Sequence, residues 1–158
     1  MKKNNVLILN LMVKFFDNAV TFKEVPNIVS RSFSITNCGG KCKGCHSPWL
    51  QQDIGEELTD EILENFFRLD KDKIECYVFL GDGNDPIRMT ELLKLCKQNG
   101  FKTCLYLGNY TTHWDYLRYL DYVKLGSYVE CLGGLDSPTT NQVMYKIENI
   151  TNQFQNKT

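Results

Sequence analysis

Residues 74–107, "IECYVFLGDGNDPIRMTELLKLCKQNGFKTCLYL", constrain the fold more than any other part of the chain. "IECYVFL" (74–80) is a short apolar run of strand length, and continuous runs of this kind suit strands buried on both faces. "GDGNDP" interrupts it with turn formers; Asp85 suits a helix N-cap and Pro86 the first helical position. "IRMTELLKLCKQN" then predicts a helix that stops at Gly100, a natural C-terminal stop. "FKTCLYL" (101–107) predicts the next strand. A strand–helix–strand unit of this length implies a parallel pair joined by a right-handed crossover.

The flanking segments continue the alternation. "NIVSRSFSIT" (27–36) is β-branched and alternating, a strand that delivers the chain into a cysteine-rich loop. "TDEILENFFRL" (59–69) predicts a helix with Thr59 as N-cap, acids in its first turn, and Ile62, Leu63, Phe66 and Phe67 on one face. "TTHWDYLRYL" (111–120) reads as a helix, with His113 on its surface, and "DYVKLG" (121–126) as a strand. The expected fold is α/β, a partial, open (βα) barrel of about five to six mostly parallel strands. A closed barrel usually needs roughly 200–250 residues or more; the chain has 158. No repeat or linker divides it, so a single domain over 1–158 is expected, with 1–15 its least defined part.

Composition removes some function classes. Apolar residues at 42% and charged residues at 23% are ordinary for a folded globular domain. The net charge of −1, with acids and bases interspersed, gives no reason to expect a nucleic-acid partner. The apolar run Val6–Val13 is broken by Asn10, followed by Lys14 and Asp17, and has no small-residue cleavage site. It is too short to span a bilayer. It reads as a strand, which predicts a cytoplasmic protein with no membrane partner.

Seven cysteines stand at 38, 42, 45, 76, 96, 104 and 131. An odd number in a chain of this size does not read as a disulfide framework. Cys76 and Cys104 lie in strand-like runs and Cys96 on a helical pattern, so all three are expected as buried thiols. Cys131 fits neither pattern. "CGGKCKGCH" (38–46) is different: Cys38, Cys42 and Cys45 crowd one loop and His46 follows at once.

Four chemistries compete for that loop. Zinc could use the three thiols with His46, but adjacent Cys45 and His46 are awkward partners in one tetrahedron, and structural sites usually draw paired ligands from two turns. "CKGCH" matches a haem-attachment pattern that would leave Cys38 idle; a dithiol at Cys42 and Cys45 leaves it idle as well. An iron–sulfur cluster uses every thiol. Three thiolates can hold three irons of a 4Fe–4S cube, leaving the fourth iron for a small molecule. Gly39, Gly40 and Gly44 would let the loop fold tightly and turn amides toward sulfide.

The spacing C-x-x-x-C-x-x-C resembles the cluster motif of radical S-adenosylmethionine enzymes. "SITNCGGKCKGCHSPWLQQDIGEELT" (34–59), with Gly44 before the third cysteine, is similar to the cluster region of the activating proteins of anaerobic (class III) ribonucleotide reductases. "CLGGLDSPTTNQVMYKI" (131–147) resembles the C-terminal signature of the same activators. The likeness runs from about residue 20 to 147.

The resemblance implies a radical S-adenosylmethionine oxidoreductase. Cys38, Cys42 and Cys45 would be its metal ligands, with a 4Fe–4S cluster and S-adenosyl-L-methionine as cofactors. Reductive cleavage would give a 5′-deoxyadenosyl radical that takes hydrogen from a glycine of the reductase. A flavodoxin or ferredoxin would be the electron donor. "FLGDGNDP" (79–86) falls where the family has a glycine-rich turn that meets the methionine amino group. This chain departs from the pattern: Asp82 stands where glycine is expected and Gly83 where the acid is expected. Gly81, Asp82, Gly83 and Asp85 are the resulting cofactor-binding candidates, and the ammonium partner is open between Asp82 and Asp85. Lys124 aligns with a strand-end lysine that could meet a carboxylate, although a strand lysine also reads as a solvated edge. Asn109 and Tyr110 would line a nucleoside pocket; His46 and Trp49 would shield the cluster; 133–142 would face nucleotide or substrate. The alternatives are a radical enzyme acting on another glycyl-radical enzyme or on a small molecule, and a non-catalytic zinc or electron-transfer module.

Overall fold

A computed structural model describes residues 11–38, 44–45, 47–108 and 114–148. Its strands are β1 (Lys14–Thr21), β2 (Ser30–Ile35), β3 (Glu56–Glu57), β4 (Cys76–Leu80), β5 (Lys102–Tyr106), β6 (Tyr122–Leu125) and β7 (Val143–Lys146). The helices are α1 (Asp60–Asp70), α2 (Pro86–Gln98) and α3 (Trp114–Leu117), with a 3-10 turn at Pro48–Gln51. One seven-stranded sheet forms in the order β3-β1-β2-β4-β5-β6-β7. Its centre, β2-β4-β5-β6, is parallel, whereas β1 pairs antiparallel with β2 and β3, and β7 antiparallel with β6.

The α/β class is as expected, but the strand count and direction are not. Seven strands replace the expected five or six, and the antiparallel flanks make the sheet mixed rather than mostly parallel. The sheet is not closed into a barrel. The extra strands, β3 and β7, lie at the margins and have no fully buried residue, so they carry little apolar pattern. Of the strand expected over Val6–Val13, residues 11–13 are irregular, and a ladder starts at Lys14. Residues 1–10 lie outside the described residues.

The central unit forms for the reasons its sequence suggests. Asp85 caps α2 by accepting from the Arg88 amide at 3.0 Å, Pro86 opens the helix, and Gly100 takes φ +85° just beyond it. Thr59 likewise caps α1 through the Ile62 amide at 3.2 Å. Burying Met89, Leu92 and Leu93 of α2 completely contributes about 1.5–3 kcal/mol for each side chain.

The sheet has two dissimilar faces. On the helical face, Phe33 stacks on Phe79 at 5.6 Å and Tyr77 meets Phe101 at 4.7 Å. Arg31 and Tyr77 converge there on Asp70, at 2.7 Å from Arg31 Nη2 to Oδ1 and 2.6 Å from the phenol to Oδ2, tying the end of α1 to the sheet. The opposite, inner face holds Cys76, Val78 and Cys104 under Val25, with Leu80, Tyr106, Tyr122 and Met144 alongside. Cys76, Cys96 and Cys104 are fully buried, as expected. Burial pushes the Cys76 thiol up to about 12 and raises the other two well above the usual thiol range. Among the described residues, no helix is long and apolar enough to cross a membrane.

Candidate functional site

Because β2, β4, β5 and β6 run parallel, the segments that follow them emerge on one edge of the sheet, where open α/β sheets place their ligands. The cysteine loop follows β2. Thr36 donates its amide to Lys14 O at 3.0 Å, Asn37 to Gln52 O at 3.2 Å and Cys38 to Leu50 O at 2.9 Å, anchoring the first cysteine on the 3-10 turn. Asn37 Nδ2 also donates to Asp53 at 3.1 Å, and Lys14 pairs with the same carboxylate at 2.9 Å. Together, Lys14 first, they hold Asp53 below the usual carboxylate range.

Cys38 is exposed and Cys45 half-buried, whereas the three core thiols are buried; all five are free. The Ser47 amide donates to Cys45 Sγ at 3.4 Å, the type of contact that stabilises charge on a ligating sulfur. Reachable soft sulfurs with an amide aimed at one of them fit a thiolate-ligated cluster. Cys42 and His46 lie outside the described residues, as do Gly39 and Gly40. With Cys42 outside, no group of three or more His, Cys, Asp or Glu side chains converges as a metal site among the described residues. Trp49 lies against Phe16, ring centroids 6.5 Å apart. Gly44 takes φ +72°, and a Cβ there would lie 2.8 Å from Cδ of Glu130, so the 129–133 turn packs directly on the cysteine loop.

The glycine–aspartate turn after β4 adjoins that loop. Gly83 takes φ +67°, and a Cβ on it would come within 3.3 Å of Ile35 and 3.5 Å of Thr36 O. The left-handed conformation favours glycine, and a Cβ would crowd the Ile35 side chain. The two aspartates have different surroundings. Asp85 accepts from the Arg88 amide on Oδ1 and the Met12 amide on Oδ2, each at 3.0 Å. It caps α2 and pins the incoming chain. Asp82 accepts from the Asn84 amide at 3.0 Å and from the Tyr116 phenol at 2.9 Å. Each Asp82 oxygen keeps acceptor capacity beyond these contacts, and the residue lies in the turn itself rather than at the helix start. Burial and then the Asp82 charge raise the Tyr116 phenol above its ordinary range, so it stays a donor.

Lys124 is not a solvated edge lysine: it is 7% exposed, on the inner face. Its Nζ lies 5.0 Å from the Tyr106 ring centroid and donates to Gly126 O at 3.3 Å. The Tyr106 phenol in turn donates to Glu24 O at 2.5 Å. Segment 133–142 folds back on the end of β6, where Asn141 Nδ2 donates to Ser127 O at 3.0 Å and Gln142 Nε2 to Gly126 O at 3.3 Å. Asn109, Tyr110 and His113 lie outside the described residues.

The rim thus brings the peptide carrying Cys38 against the Gly81–Asp85 turn, with Cys45 farther along the same loop and Lys124 in β6. Sequence reasoning missed Tyr116 and Asn84. Tyr116 has an apolar helical spacing that conceals where its hydroxyl reaches, and Asn84 reads as one more turn former. Cavities of about 450 Å³ beside Phe67 and Phe101 and about 430 Å³ beside Ile87 and Tyr119 share no residue with this rim. Neither gathers the chemistry found here. No family model, curated protein or solved structure matches the chain.

Proposed function

We propose that this chain is a radical S-adenosylmethionine activase that installs the glycyl radical of an anaerobic ribonucleotide reductase. The observation that carries the reading is the junction of a three-cysteine loop, spaced C-x-x-x-C-x-x-C, with a glycine–aspartate turn on the adjacent parallel strand, Gly83 lying against Ile35 and Thr36.

Cys38, Cys42 and Cys45 would hold a 4Fe–4S cluster. Bound there, such a cluster would supply the one-electron chemistry that splits the sulfonium bond of S-adenosylmethionine into methionine and a radical able to take a hydrogen atom from a reductase glycine. The protein's own residues bind and orient. Asp82 accepts the methionine ammonium, since a carboxylate oxygen with a free lone pair makes a charge-assisted bond to it. Asp85 is committed to α2 and Met12. Lys124 provides a cation on the inner face for a carboxylate. A sheet that does not close among the described residues is compatible with a protein loop as substrate, and a flavodoxin or ferredoxin would deliver the electron.

The test is anaerobic. Cluster-loaded, reduced protein incubated with S-adenosylmethionine and the reductase should give a glycyl-radical doublet in electron paramagnetic resonance. 5′-Deoxyadenosine formed without that doublet removes the substrate assignment and keeps the chemistry. Colourless protein with stoichiometric zinc removes the chemistry itself.

A further inference from the structure

We infer that Asn84 is a positioning residue that couples the first cluster thiol to the carboxylate meeting S-adenosylmethionine; its functional consequence rests on the activase reading. The relevant object is a single peptide plane, between Asn37 and Cys38. Its amide donates to Leu50 O at 2.9 Å. Its carbonyl accepts from Asn84 Nδ2 at 2.7 Å, across 47 residues of sequence. The peptide that carries Cys38 is thus held at both ends, from the 3-10 turn on one side and the β4 turn on the other.

Asn84 is equally engaged on its own side. Its backbone amide donates to Asp82 Oδ1 at 3.0 Å, and Asp82 Oδ2 accepts from Tyr116. One residue therefore links the Asp82 carboxylate to the Cys38 peptide, each through one hydrogen bond. Asn84 takes φ +57° and Asn37 φ +58°, a region asparagine tolerates better than most side chains. Glycine would hold that backbone without reaching across; aspartate would have the right size but set an acceptor against the Asn37 carbonyl. Asparagine satisfies both demands. A displacement of the Cys38 peptide would shift its sulfur, and any cluster the three thiolates hold, relative to Asp82. Precise spacing matters because two points on one small molecule would be gripped from two separate strands.

Two variants test this in the full chain, Asn84→Gly and Asn84→Asp, compared with the parent after anaerobic reconstitution. Three readouts are taken: hydrogen exchange at 36–38 and 50–52 in metal-free protein, iron per chain, and the dissociation constant of S-adenosylmethionine from the reduced-cluster spectrum. The expected result is faster exchange, iron per chain equal to the parent, and binding weakened about 3- to 10-fold, the equivalent of one hydrogen bond. Aspartate should be the worse of the two. Variants that bind within twofold of the parent, or that leave exchange unchanged, overturn the coupling and spare the activase reading. A parent that holds a cluster but binds no S-adenosylmethionine overturns both.

Discussion

The phenol of Tyr116 donates to Oδ2 of Asp82 across 2.9 Å, from a helix on one side of the sheet to a turn on its rim. The ring is fully buried, so the hydroxyl has little freedom to leave. Tyr116→Phe keeps the packing and deletes the donor. A hydrogen bond to a charged group contributes about 1.5–3 kcal/mol, so a stability loss of about 1–2 kcal/mol is expected in urea unfolding. If Asp82 receives the methionine ammonium, S-adenosylmethionine binding should weaken with it. Unchanged binding by the variant removes Asp82 from that role.

The thiols of the cysteine loop should behave differently from the buried ones. Cys42→Ala, together with Cys38→Ala or Cys45→Ala, should abolish retention of iron and the dithionite-bleachable absorbance. Cys96→Ala, in the core under α2, should keep both at a stability loss of about 1–2 kcal/mol for the small void left. Iron and sulfide quantification decides it. A chain that holds its full cluster with Cys42 replaced contradicts the ligand set.

Asp70 is a structural carboxylate, remote from the rim. Its side chain is 4% exposed and receives Arg31 and Tyr77. Breaking a buried pair by removing one partner costs about 3–5 kcal/mol. Asp70→Ala should therefore lower the denaturation midpoint steeply, while protein still folded binds S-adenosylmethionine as the parent does. A loss below about 1 kcal/mol would mean that Arg31 finds another partner or water.

Alkaline pH should destabilise the fold through the buried thiols. Cys76 titrates near 9.0 when unfolded and is pushed up to about 12 by burial. A raised folded value means that its contribution is fully present below about pH 9 and is lost as pH rises toward 12. Within that window one such group gives a slope of about 1.4 kcal/mol per pH unit. Cys96 and Cys104 add to it in the same direction. Cys76→Ala should reduce the slope by one proton's worth, measured by urea titration from pH 8 to 11. An identical slope in the variant would show that Cys76 ionises freely in the fold.

Residues 74–107 were readable because each local signal agrees with its neighbours: an apolar run, a cap at Asp85, a proline at 86, a stop at Gly100. The margins were not. In β1, Phe16 and Val20 face solvent while only Phe15 is buried, and β7 has no buried residue. Pairing there depends on a neighbour's edge, which a one-dimensional pattern does not contain. At the rim, residue types were legible but partners were not. Asp82 and Asp85 look interchangeable in "GDGND"; what separates them is Met12 and Tyr116, both far away in sequence. Lys124 resembles any strand lysine until its place against Tyr106 is known.

Among the described residues the sheet runs from β3 to β7 and its two edges do not meet, so it builds only part of a wall. For an activase, this makes the missing stretch of enclosure the property of the docked partner. An idle molecule would leave the rim around the exposed Cys38 open to quenchers. Arrival of the client would seal the chamber, tying the safety of the reaction to recognition.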